Sequence, residues 1–242
     1  MPTVLLLRHG LTAMTGPVLA GRTPAVHLDK RGQAQAAAVA DRLAVLPLAA
    51  VRTSPLERCA ETARVVTRAQ KAAGRTVPQR SDRRLLECDY GDWTGREIRS
   101  LAKDPLWPVV QAHPSGVTFP GGESMAAMAE RAVRAVRDVD AELAASHGEG
   151  ALWVACSHGD VIKAILADAL GLHLDLFQRL VVDPCSVSAI RYTAGRPFVL
   201  SMNDTAGELS RFTPPAPKAG ARKRRAASSD ATVGGGAGAG AV

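Results

Sequence analysis

Aromatic residues make up only 4% of this 242-residue chain. Its core must therefore rest largely on Ala, Val and Leu. There is no CxxC pair: Cys59, Cys88, Cys156 and Cys185 lie far apart. That spacing favours reduced, packed thiols over disulfides or a metal site. No apolar stretch approaches the roughly 20 residues that cross a bilayer. The apolar run at 4–7 ends at Arg8, too short for the core of a secretion signal. A soluble, cytoplasmic protein is the expectation.

Excess negative charge is also missing. The formal net charge is +7, but it is unevenly spread. From Thr213 onward, Lys218, Arg222, Lys223, Arg224 and Arg225 face only Asp230. The body is thus mildly basic, which suits small anions, and the tail is not where chemistry is sought. Pro-Pro-Ala-Pro, a basic cluster and Gly-Ala repeats predict a disordered tail over 213–242. With no aromatic interleaved to stack on bases, no specific nucleic-acid contact is expected from it.

What is present is the hydrophobic content of a globular domain, 46%. Residues 3–7 form a continuous β-branched and aliphatic run without polar alternation, as in a strand buried on both faces, and 49–53 and 151–155 read as two more buried strands. Helical stretches separate them. One spans 30–46, and a second opens at Ser54, where Ser-Pro-Leu-Glu reads as a capping box with Pro55 at the first helical position. Met125, Met128, Ala132, Val136, Val139 and Leu143 form one apolar stripe of a helix over 124–145. Val161, Ile162, Ile165, Leu166, Ala169 and Leu170 mark another, stopping at Gly171. Residues 186–192 and 197–202 read as a hairpin. Alternating strands and helices argue for a doubly wound α/β sheet with an antiparallel element. The Pro- and Gly-rich stretch 101–122 reads as a short cap-like excursion over the sheet edge, inside a domain spanning 1–212.

In open α/β sheets, ligands sit beyond the carboxyl ends of the strands. The first run leads into Arg8-His9-Gly10, the second into Thr53-Ser54-Pro55-Leu56-Glu57-Arg58, the third into Ser157-His158-Gly159. Two histidines and two arginines should converge at one rim. Phosphoryl transfer needs such a set, because negative charge spreads over the equatorial oxygens and fixed cations must meet it. The planar fork of Arg suits a phosphate. Gly10 and Gly159 let the backbone pass close to a ligand. A neutral imidazole can accept the phosphoryl group, and a nearby acid, for which Glu87 is the candidate, can protonate the leaving alcohol.

At this point the sequence resembles the histidine phosphatase superfamily, also called the phosphoglycerate mutase-like family. The matching segments include Leu7-Arg8-His9-Gly10-Leu11-Thr12, Ala20-Gly21-Arg22, Ser54-Pro55-Leu56-Glu57-Arg58, Leu86-Glu87, Tyr90-Gly91-Asp92-Trp93-Thr94-Gly95, Gly121-Gly122-Glu123-Ser124 and Ser157-His158-Gly159. The resemblance implies a three-layer α/β/α fold around a mostly parallel six-stranded mixed sheet with one antiparallel strand. It also implies His9 as phosphoryl acceptor, Arg8, Arg58 and His158 as phosphate holders, and Glu87 as proton donor and later base. Substrate contacts are implied at Gly10, Thr12, Gly21, Arg22, Gly159 and Asp160. Neither a metal nor another cofactor is expected, the partner is a small phosphorylated substrate, and a homodimer is a possible assembly. Leu11, Glu61 and Asp160 depart from the common pattern without removing a catalytic group.

Within the family, Leu86-Glu87 followed by Gly91, Trp93 and Gly95 looks more like the phosphatase branch than the mutases. Mutases usually continue the acid into Arg-His-Tyr-Gly and carry paired arginines in a longer insertion. Metal-independent phosphomonoester hydrolysis is the preferred reading, phosphomutase activity the alternative, and a non-catalytic phosphate-binding or nucleic-acid-binding protein a lesser one.

Overall fold

The computed structural model describes residues 2–205 together with Thr213. Its centre is a six-stranded sheet in the order β3-β2-β4-β1-β5-β6. The strands are β1 (Thr3–Arg8), β2 (Leu48–Thr53), β3 (Gln79–Ser81), β4 (Leu152–Ser157), β5 (Val187–Tyr192) and β6 (Pro197–Asp204). The first four run parallel, and β5 runs against both β1 and β6. A mixed sheet with a single reversed strand is the expected architecture.

The continuous apolar runs are explained by burial on both faces. Along β1, Val4 and Leu6 join one core with Trp153 and Ala155 of β4, while Leu5 and Leu7 join the other with Val154 and Cys156. Successive side chains of a strand point to opposite faces, so every position needs an apolar residue when both faces are covered. α1 (Lys30–Leu43) and α2 (Glu57–Ala72) cover one face. α5 (Met125–His147) and α6 (Gly159–Leu170) cover the other. All six residues of the anticipated α5 stripe are buried, and Ser124 caps the helix through the Ala127 N–H at 3.0 Å. α6 ends at Gly171, whose φ of 67° allows the left-handed turn; Leu170, anticipated in its apolar stripe, is exposed.

Several local expectations are revised. The capping box at Ser54 does not form: α2 begins at Glu57, and Leu56, with φ −64° and ψ 141°, is its N-cap without a side-chain bond. Ser54 Oγ instead faces His158 Nε2 at 2.8 Å. α1 stops at Leu43 rather than reaching residue 46. The stretch 101–122, anticipated as an irregular excursion, is partly helical. It carries the end of α3 (Ile98–Leu101), α4 (Trp107–Ala112) and the 3-10 turn Pro114–Gly116, which packs on α5 and on a second 3-10 turn, Leu174–Arg179. Leu101, Val110, Val117 and Phe119 are buried in the same core as Val4 and Leu6. The anticipated basic tail, beyond Thr213, lies outside the described residues.

All four cysteines are free and buried. No helix among the described residues is long and apolar enough to cross a membrane.

Candidate active site

The sheet register builds the site. Arg8 pairs with Ser157, and Thr53 pairs with Cys156, so β1, β2 and β4 end at nearly one level. The strand order also reverses here. The chain leaves β1 for β2 and β3, returns to β4 beside β1, then moves out to β5 and β6. Such a switch point opens a crevice beyond the carboxyl ends. The residues that follow these strands enter it.

His9 is 6% exposed, and its Nδ1 lies 2.7 Å from the Gly10 carbonyl oxygen. A carbonyl only accepts, so Nδ1 carries the proton and Nε2 keeps its lone pair. Burial, reinforced by the Arg58 and Arg8 charges, lowers the His9 pKa to about 3, against the hydrogen bond to Gly10 that raises it. The ring is neutral at physiological pH and nucleophilic at Nε2.

Arg58 lies in the first turn of α2 and is 2% exposed. Its Nη2 donates to the Gly21 carbonyl at 2.6 Å and to His158 Nδ1 at 3.2 Å. Its Nε and Nη1 are buried without a hydrogen-bond partner, as is Arg8 Nε. Arg8 Nη1 donates to the Val182 carbonyl at 2.6 Å, which fixes that guanidinium. Buried donors are normally satisfied, and leaving charged ones unpaired is costly. Three orphaned guanidinium nitrogens on the two arginines that line His9's pocket are the signature of an anion site.

His158 stands beside His9 and Arg58 but outside the pocket lining. It is fully buried, edge-on to His9 with ring centroids 5.2 Å apart. Because Arg58 can only donate, His158 Nδ1 accepts and Nε2–H points to Ser54 Oγ. Both nitrogens are engaged, so His158 buttresses Arg58 from behind. Burial and then the Arg58 charge drive its pKa well below the usual value.

The pocket has a volume of about 170 Å³ and is lined by Arg8, His9 and Arg58 together with Thr12, Gly21, Glu87, Gly159 and Asp160. Glu87 accepts the Cys88 N–H at 3.0 Å. Desolvation, and next the charge of Asp160, push its pKa up to about 7 against the pull of Arg58 and Arg8. Asp160 opens α6 and accepts the Tyr90 hydroxyl at 2.7 Å.

Besides His158, two anticipated contacts fall outside the lining. Gly10 is required by packing, since a Cβ there would stand 2.6 Å from the Gly32 carbonyl oxygen of α1. Arg22 turns to the loop carrying Glu87: Nε donates to the Glu87 carbonyl at 2.9 Å, Nη1 to Asp89 and Nη2 to Glu123. Two residues went unrecognised in the sequence. Tyr90 stood inside a quoted motif yet gave no sign of reaching Asp160. Arg131 donates to the carbonyls of Arg84, Leu86 and Glu87 and pairs with Glu123 at 2.6 Å. Nothing but its position on the helix after Gly-Gly-Glu-Ser could have marked it.

The profile of the histidine phosphatase superfamily (branch 1) matches residues 4–205. The chain belongs to this superfamily. A relative named "Probable phosphoglycerate mutase GpmB" from Klebsiella pneumoniae is 31% identical over 221 residues, 89% of this chain and 97% of its own length. A mycobacterial glucosyl-3-phosphoglycerate phosphatase aligns with TM-score 0.72 at 26% identity, over 84% of this chain and 98% of its own. YhfR of Bacillus stearothermophilus aligns with TM-score 0.74 at 27% identity, over 84% and 98%. Membership of the histidine phosphatases makes this chain a phosphoryl-transfer protein by family; its particular reaction is a matter for the site.

Proposed function

We propose that the chain hydrolyses phosphomonoesters through a phosphohistidine on His9, using no metal. The observation that carries this reading is the meeting of a buried, neutral His9 with unpartnered Arg8 and Arg58 donors in one pocket. In the first step His9 Nε2 attacks phosphorus and the bond to the ester oxygen breaks. The Glu87 carboxyl gives its proton to the departing alkoxide, while Arg8 and Arg58 meet the charge on the equatorial oxygens. In the second step Glu87, now a carboxylate, takes a proton from water as the water oxygen attacks phosphorus. The P–N bond breaks, its electron pair returns to Nε2, and inorganic phosphate leaves. A carboxyl poised near pH 7 suits both roles.

Rapid-quench labelling with a phosphate ester should yield an acid-labile, base-stable phosphoryl group on His9. Persistent labelling in a His9→Ala variant would sink the assignment. That variant is expected to lose turnover by at least about 10³-fold. A mutase reading is favoured by the name of the 31%-identical relatives. Turnover of phosphate esters with and without 2,3-bisphosphoglycerate separates the two, hydrolysis without it being the expected result.

A further inference from the structure

We infer that the alcohol part of the substrate carries hydroxyl groups and no carboxylate, a reading that rests on the phosphatase function proposed above. The pocket divides its chemistry unequally. Among the described residues, Arg8 and Arg58 are the only cations in its lining, and both carry buried donors without a partner. The rest of the described lining offers the alcohol no positive charge. Val18, Leu19 and Ala20 present apolar surface, and Thr12 and Thr15 are hydroxyls paired with each other at 3.0 Å. Asp160 adds a carboxylate beside Glu87.

Nearby cations among the described residues are turned elsewhere. Arg22 is spent on Glu87 O, Asp89 and Glu123, and Arg131 on Glu123 and three carbonyls. Arg96 faces Ser100 and Asp104. A carboxylate on the substrate would leave water for a site where, among the described lining residues, the charge beyond the two arginines and Glu87 is Asp160, of its own sign. A hydroxyl can donate to Asp160 and accept from Thr15, so a polyol or sugar phosphate is matched where an acidic ester is repelled.

Glycerol 3-phosphate and 3-phosphoglycerate test this directly, because they differ only by a hydroxymethyl group in place of a carboxylate. With the full chain at pH 7, kcat/KM should favour glycerol 3-phosphate at least about tenfold. Val18→Arg, which places a cation on the neutral wall, should raise kcat/KM for 3-phosphoglycerate at least about fivefold and narrow the ratio. Equal or faster turnover of 3-phosphoglycerate by the unaltered chain overturns the inference. So does hydrolysis of 4-nitrophenyl phosphate with neither member of the pair accepted. Failure to hydrolyse any of the three, or to label His9, instead sinks the phosphatase reading beneath it.

Discussion

One backbone contact decides which nitrogen of His9 can react. The Gly10 carbonyl holds the Nδ1 proton, and the low pKa of about 3 keeps Nε2 unprotonated across the physiological range. His9 titration therefore does not limit turnover near neutrality. Glu87 does. As the proposed acid it must be protonated in the first step, so kcat/KM for esters of poorly leaving alcohols should fall as pH rises through about 7. Asp160 is the neighbouring charge that holds this pKa up, after desolvation. Asp160→Asn keeps an oxygen to accept the Tyr90 hydroxyl but removes the charge. The alkaline limb should then move to lower pH by roughly one unit. A pH–rate profile checks this, and an unmoved limb would remove Glu87 or Asp160 from the account. At this scale the sequence showed which residues follow the strand ends, so Arg8, His9 and Arg58 were legible, while Asp160 came only with the family resemblance. The sequence did not show where long side chains point. Nothing in it showed that Arg22 bonds to Glu123, or His158 to Arg58 and Ser54, each partner distant in sequence.

The element that carries Glu87 has almost no regular structure: two 3-10 turns, Arg83–Leu85 and Gly91–Trp93, bracket it. Such a segment needs other anchors to hold a catalytic group to the tolerance that chemistry requires. The chain's scarce aromatics supply one: Tyr90, Trp93, Trp107 and Phe119 pack at centroid distances of 5.0–6.1 Å. Arg131 of α5 supplies another by gathering the carbonyls of Arg84, Leu86 and Glu87, with Glu123 locking it against Arg22. Arg131→Ala should slow alkyl phosphates by about ten- to a hundredfold while costing activated aryl phosphates much less. Aryl leaving groups need little protonation, so only loss of Glu87 placement separates the two; equal losses would indicate general unfolding. Arg131→Lys should recover part of the difference. The strands that support this segment were legible where apolar residues run continuously. β3 was not, because Gln79, Arg80 and Ser81 are exposed at the sheet's edge and carry no burial pattern. The start of α2 was misplaced for a different reason. The hydroxyl that would cap it is recruited by His158, 104 residues away.

For the whole molecule, the two-faced core and the switch point have a consequence for stability. Placing His9 and His158 between the two helical layers keeps both rings neutral in the folded state. An unfolded chain would protonate them below about pH 6.5. Between that value and about 3, unfolding takes up a proton at His9, and His158 acts in the same direction. Stability must therefore decline as pH falls through this window. Glu87 works oppositely, since the folded state retains its proton between about 4.5 and 7. One carboxyl cannot offset two histidines, and below its unfolded pKa it has no further effect. Glu61, Asp82, Glu123 and Asp175, all held below their usual values by ion pairs or hydrogen bonds, then add to the loss. Acid unfolding should thus begin while the surface carboxylates are still ionised. Replacing His158 by Gln removes one of the protons taken up and keeps a group able to reach Ser54. Chemical denaturation between pH 6 and 5 should give a slope of stability against pH that is shallower by at most about 1.4 kcal/mol per unit. Identical slopes for the two proteins would mean that the fold does not hold His158 neutral, and its placement behind Arg58 would then have to be abandoned.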